Sequence, residues 1–142
     1  MKDFSYGIIP FYQDNDEPRY VIARRSGRDG FWKFPKGHKE SNETEITAAL
    51  RETAEEIGVE ISIDDVLAER SFCETYTYTD EAGPVEKTNT YWLAPVSKDV
   101  VIALNDEFTR YKVVTFKGAL KLLAENLKDC FTEAHIFLQG AY

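Results

Sequence analysis

Residues 37–59, GHKESNETEITAALRETAEEIGV, decide how the rest of the chain is read. Asn42 is a helix-capping residue type, Glu45 three positions on suits a capping box, and Gly58 stands where a left-handed terminator belongs. The pattern predicts a helix over 43–57. Ile46, Leu50, Thr53 and Ile57 recur at helical spacing and would face a core. Glu52, Glu55 and Glu56 fall on another face, crowded together, because residues three and four apart are neighbours on a helix. Like charges at that spacing cost an isolated helix a few tenths of a kcal/mol per pair, roughly. One explanation is a solvated acidic face; the other is a hard divalent cation such as Mg²⁺, which takes oxygen ligands beside a phosphate site.

The fixed points of the stretch are Gly37, Glu43, Arg51-Glu52, Glu55-Glu56, Gly58 and Val59. This pattern resembles the Nudix box, departing from it at Thr53, where an aliphatic residue is usual. With each residue type supplying roughly 5–7% of a chain, the seven positions besides the aliphatic Val59 coincide by chance at about 10⁻⁹ to 10⁻⁸. The resemblance implies an α/β protein, a Nudix-type α/β/α sandwich with a central mixed β-sheet, over a single domain spanning 1–142.

Composition agrees with one soluble domain. The chain has 142 residues, 43% hydrophobic and 30% charged, which is long enough for one substantial core and too short to expect two. No apolar run approaches the roughly 20 residues of a membrane span, and the first residues lack a signal-peptide cleavage pattern. The reading is cytoplasmic, with Cys73 and Cys130 as reduced, partly buried thiols. A net charge of −8 argues against a stable nucleic-acid complex, which needs Lys and Arg to neutralise phosphates. Locally the sign changes. Arg19, Arg24, Arg25, Arg28, Lys33, Lys36, His38 and Lys39 stand against a single Asp29, and the glutamate-rich box follows at once. Basic beside acidic suits a polyphosphate bridged to metal ions.

Along the chain, residues 4–11 and 20–24 read as strands, and 31–36 as an extended segment that delivers Lys36 and Gly37. After the box helix, 61–66 is ambiguous and 67–79 reads as a long strand. Residues 80–83 turn it into 85–96, which puts Thr79 opposite Pro84 and Tyr76 opposite Lys87, with Tyr78 on the same face. A last strand over 112–115 precedes helices over 117–123 and 126–139. The second carries an apolar face of Leu127, Cys130, Phe131, Ala134, Phe137 and Leu138.

The segments Trp32–Lys-Phe-Pro-Lys36-Gly37-His38, Lys87-Thr-Asn-Thr-Tyr91-Trp92, Asp106-Glu107 and Glu133-Ala-His-Ile-Phe137 further resemble the asymmetric diadenosine tetraphosphate hydrolases of that family. The resemblance implies cleavage of a dinucleoside polyphosphate by water into ATP and AMP, with Mg²⁺ or Mn²⁺ as cofactor. It gives Gly37, Glu52, Glu55 and Glu56 as metal ligands. It leaves the base open between Glu107 and a box glutamate such as Glu52, with Arg51 orienting carboxylates through an ion pair. Lys36 and Lys87 would hold phosphates and Tyr78 would stack on adenine, while His38 is either a phosphate contact or a neighbour of one. As isolated residues, the lysines read equally as surface charges and Tyr78 as packing. Competing functions are an RNA 5′-pyrophosphohydrolase, a diphosphoinositol polyphosphate phosphohydrolase, and a non-catalytic regulatory domain that binds a nucleotide. The chain is expected as a monomer or homodimer.

Overall fold

The computed structural model describes residues 1–28 and 30–141; Asp29, the one acid of the basic stretch, and Tyr142 lie outside the described residues. In chain order the elements are β1 (Lys2–Asp14), β2 (Glu17–Arg25), β3 (Trp32–Lys33), β4 (Lys36–Gly37), α1 (Glu45–Ile57), β5 (Phe72–Asp80), β6 (Gly83–Pro95), β7 (Phe108–Val114), α2 (Phe116–Leu122) and α3 (Glu125–Ala141). Successive strand residues point to opposite faces, and this divides the core in two. Ile8, Trp92 and Ala94 meet α1 through Ala49 on one side. Ile9, Phe11, Tyr91 and Leu93 meet Leu127, Phe131, Ala134 and Leu138 of α3 on the other. A third cluster of Val21, Ala23, Ile57, Val59 and Phe108 seals the end of α1.

The strands form a 7-stranded sheet in the order β3-β2-β1-β6-β5, with β4 added to β1 and β7 to β2. The β1–β6 pair is parallel and the others antiparallel, so the sheet is mixed and the molecule is the expected α/β/α sandwich. The hairpin register falls as counted, with Tyr76 opposite Lys87 and Thr79 opposite Pro84. Its turn is tighter than expected: Asp80 pairs with Gly83, whose φ of 118° favours glycine.

Three local expectations are corrected. The helix begins at Glu45, capped by Thr44, whose hydroxyl accepts from the Thr47 N–H at 3.2 Å while Thr47 returns the contact, so the Asn42–Glu45 box does not form. The reason is Glu43, whose carboxylate is drawn out of the helix by Arg51 and the Glu40 N–H. Residues 67–71 do not extend β5; of them, Leu67 donates its N–H to the Leu93 carbonyl at 2.9 Å, and 61–66 hold only a 3₁₀ turn, Ile63–Asp65. Both cysteines are free, but Cys73 is exposed, because β5 is the sheet edge and Cys73 lies on its open side.

A buried pair in this layer titrates. The Tyr20 hydroxyl lies 2.7 Å from His135 Nδ1, and Phe116 stacks on the imidazole at 4.0 Å between ring centres. Burial holds His135 below its ordinary 6.5, against an upward pull from Glu17, and so favours the neutral ring beside the Tyr20 hydroxyl. A base with a depressed folded value stabilises fully above 6.5, and that contribution is lost as the pH falls through the folded value. The melting temperature of the parent should therefore fall more steeply on acidification than that of His135→Gln, which keeps an acceptor without the titration. Parallel profiles would remove His135 from the acid response.

Candidate active site

The site is assembled where β4 is laced to α1. Short β4 pairs with β1 through Tyr6–Gly37 and Gly7–Lys36, and the Lys36 N–H donates to Glu56 Oε1 at 3.1 Å. Glu52 and Glu56, one turn apart on the helix, thus face the strand. At Gly37 a Cβ would overlap the Glu52 carboxylate, so only glycine allows this approach. Glu52, Glu56, Gly37 and Glu107 all line one open cleft of about 390 Å³.

Lys36, His38, Tyr78 and Lys87 line the same cleft. Lys87 is buried, its Nζ 2.9 Å from Asp3 Oδ2 and 2.5 Å from Ser5 Oγ. His38 is largely exposed and reaches Asp3 Oδ1 at 2.8 Å. Tyr78 is 40% exposed at the rim, its ring 6.4 Å from that of Tyr76. Arg25, from the basic stretch, also lines the cleft, as do Asp3 and Ser5, which were missed as site residues. The parallel register that sets Asp3 beside Lys87 joins distant parts of the chain and leaves no local sequence signal. A weak signal lay in the alternation Asp3, Ser5, Gly7, small or polar residues on one face of an otherwise apolar strand.

Arg51 and Glu55 stand beside the cleft rather than in its lining. Arg51 grips Glu43 with Nε at 2.6 Å and Nη2 at 3.0 Å, donates from Nη1 to Glu52 at 3.0 Å and to Glu55 at 3.3 Å, and reaches the His38 carbonyl at 2.9 Å. These bonds, with the Glu40 N–H, pull the Glu43 carboxyl down to about 2. Glu55 remains 56% exposed. Among the described residues, no three acidic, His or Cys side chains converge as a preformed metal cage; Arg51 draws Glu43, Glu52 and Glu55 toward itself.

Electrostatics nonetheless favour a cation. Burial pushes Glu56 up to about 8, with Glu107 and Glu52 adding to the rise against the Lys36 N–H bond. Burial also raises Glu52, opposed by Arg51. On the basic side, burial with Lys33 and Lys87 lowers Lys36 to about 8. Carboxylates held in this unfavourable state, beside a glycine backbone, form an all-oxygen donor set that fits a hard divalent ion. The loop bearing Glu107 is tied to the same place. Its N–H donates to Asn105 Oδ1 at 2.9 Å, its carbonyl accepts from Ser26, and Asn105 N–H donates to the Glu56 carbonyl at 3.0 Å. The loop is therefore anchored both to the end of β2 and to α1 at the mouth of the cleft.

The NUDIX domain family matches residues 1–134. The chain belongs to the Nudix family. Nudix hydrolases generally use divalent metal ions, in keeping with the donor set above. One relative of this Nudix hydrolase is the bis(5′-nucleosyl)-tetraphosphatase (asymmetrical) of Rattus norvegicus, 34% identical over 127 residues, which cover 88% of this chain and 84% of that one. An RNA pyrophosphohydrolase of Campylobacter jejuni is 28% identical over 125 residues, covering 81% and 78%. A crystal structure of a C. elegans Ap4A hydrolase binary complex shares the fold at a TM-score of 0.80 and 23% identity, covering 97% of this chain and 98% of that one.

Proposed function

We propose that this Nudix hydrolase cleaves dinucleoside polyphosphates asymmetrically, diadenosine tetraphosphate foremost, releasing ATP and AMP, with Mg²⁺ as cofactor and Mn²⁺ able to replace it. The observation that carries this reading is the single cleft in which Glu52, Glu56 and Glu107 share walls with Lys36, Lys87 and Arg25, so that a metal set and a polyphosphate grip meet. Similarity to the rat tetraphosphatase over most of both chains supports the substrate class.

Gly37, Glu52 and Glu56 would hold the metal from inside the cleft, with Glu55 on the same helix face as the further carboxylate. When bound, a divalent ion offsets phosphate charge and makes water a better nucleophile. Lys36 and Lys87 fix the phosphates, Lys87 being positioned by Asp3 and Ser5. Tyr78 offers its exposed ring to a base, a contact that needs no sequence-specific hydrogen bond. Arg51 orients Glu52 and Glu55. Glu107 takes the proton of the attacking water, so Glu107→Gln should lower turnover far more than it changes the Michaelis constant. A rise in the Michaelis constant alone would return the base to the box. The reading of Cys73 and Cys130 as reduced thiols goes with a cytoplasmic setting. We assign the chain there as a monomer or homodimer that forms no stable nucleic-acid complex.

The deciding experiment is product analysis in ¹⁸O-labelled water over dinucleoside polyphosphates, triphosphorylated RNA and inositol pyrophosphates, with and without chelator. Chelator-sensitive release of ATP and AMP from diadenosine tetraphosphate, ahead of the other substrates, is expected. Preferential turnover of RNA would favour the activity named for the Campylobacter relative, which the net charge of −8 opposes.

A further inference from the structure

Next to the cleft, and sharing Arg25, Lys36 and Tyr76 with it, is a second cavity of about 540 Å³. That volume lies within the range of small-molecule sites, roughly 300–1,000 Å³. Phe31 and Tyr76 give it aromatic walls and Leu127 an apolar one, while the shared Arg25 and Lys36 lead toward the phosphate grip. Its interior holds an anomaly. Asn89 Nδ2 donates to Glu74 Oε1 at 2.8 Å and so fixes the carboxylate, but Glu74 Oε2 is buried with no hydrogen-bond partner. The Tyr91 hydroxyl is buried without a partner as well. Both residues line this cavity, at 8% and 0% exposure. Buried polar atoms are nearly always paired, and two unpaired ones in the lining of one cavity are unexplained by the fold.

A ligand with a flat aromatic body, a polar edge and a phosphate at its far end satisfies every wall at once. We propose that Glu74 is a specificity-determining residue: its free oxygen accepts the exocyclic amine of an adenine seated in this cavity, while the Tyr91 hydroxyl donates to N7, an acceptor that adenine and hypoxanthine share. This rests on the reading that the substrate is a nucleotide polyphosphate. A 6-oxo purine would turn an oxygen lone pair toward the carboxylate oxygen and leave both unpaired, and a site built around a hydrogen bond rejects strongly the analogue that cannot make it. Glu74→Gln tests the atom directly, because the amide can keep Oε1 for Asn89 and places an NH₂ donor where Oε2 stood.

The test is calorimetric titration of AMP and of IMP into the parent protein, Glu74→Gln and Tyr91→Phe, run at neutral and at alkaline pH because burial raises the Glu74 carboxyl. The parent should bind AMP at least about tenfold more tightly than IMP, the scale of one unmade hydrogen bond to a charged group. Glu74→Gln should erase or invert that ratio. Tyr91→Phe should weaken both nucleotides while melting no lower than the parent, since it deletes a buried hydroxyl that the fold does not pair. An AMP-to-IMP ratio unchanged by Glu74→Gln, or no saturable binding of either nucleotide to the parent, overturns the assignment. Because binding is read without turnover, a parent that selects AMP but hydrolyses no dinucleoside polyphosphate would sink the proposed reaction and uphold Glu74. A parent that hydrolyses diadenosine tetraphosphate while Glu74→Gln leaves the ratio intact would do the reverse.

Discussion

Glu56→Gln should abolish most hydrolysis while leaving the protein no less stable than its parent. The metal's charge stabilisation is worth several kcal/mol, so at about 1.4 kcal/mol per tenfold the loss should be roughly two to four orders of magnitude in turnover. Stability moves the other way because Glu56 is a carboxylate 5% exposed, close to Glu52 and Glu107, and burial alone works against its charge. The amide retains an oxygen for the Lys36 N–H and carries no charge to desolvate. Turnover under saturating Mg²⁺ and melting of the metal-free protein together read both halves. Near-parental turnover would end the case for Glu56 as a ligand, and a sharp fall in melting temperature would mean its charge holds the fold together.

Gly37→Ala should separate site from fold even more cleanly. The three atoms nearest the added methyl all belong to the end of the Glu52 side chain, which is flexible enough to swing aside at little cost to packing. Glu52 would then leave β4 and fall back on Arg51, which already holds its Oε1 at 3.0 Å. A displacement of about 1 Å in a positioned group costs on the order of 10²-fold in rate, so turnover should drop by that much with melting essentially unchanged. Full activity in Gly37→Ala would show that Glu52 has no need to lie against the glycine.

What the sequence made legible follows the range of the interactions. The register of β5 against β6 was readable because a turn of Asp80–Gly83 sets it locally, and Tyr76 met Lys87 as counted. The helix start was misplaced by two residues for a related reason: Asn42 and Thr44 are both capping types, and the choice between them lies with Arg51, which removes Glu43 from the helix. The box predicted which glutamates share a face, but not that Glu55 would be held outside the cleft lining by that same arginine. Asp3 and Ser5 left only the faint trace of their alternation, because their partner, Lys87, comes from the far side of the sheet's parallel pair. Glu74 and Tyr91 read as ordinary strand residues; only their unpaired atoms, which no spacing reveals, single them out.

The same parallel pair sets a timetable for the nascent chain. One edge of β1 is occupied early, by β2 and then β4, whereas its other edge waits for β6. Asp3 and Lys87 are 84 positions apart, so at synthesis rates of roughly 5–20 residues per second that edge stands open for several seconds. During this interval Phe4, Ile8 and Ile9 belong to a strand whose β6 edge is not yet covered, the form most prone to stick to another chain. Slower elongation lengthens the exposure, and a chaperone that shields the first dozen residues shortens its consequences. Aggregation during overproduction should therefore begin at β1, and yield should depend on translation speed more than on the stability of the finished enzyme.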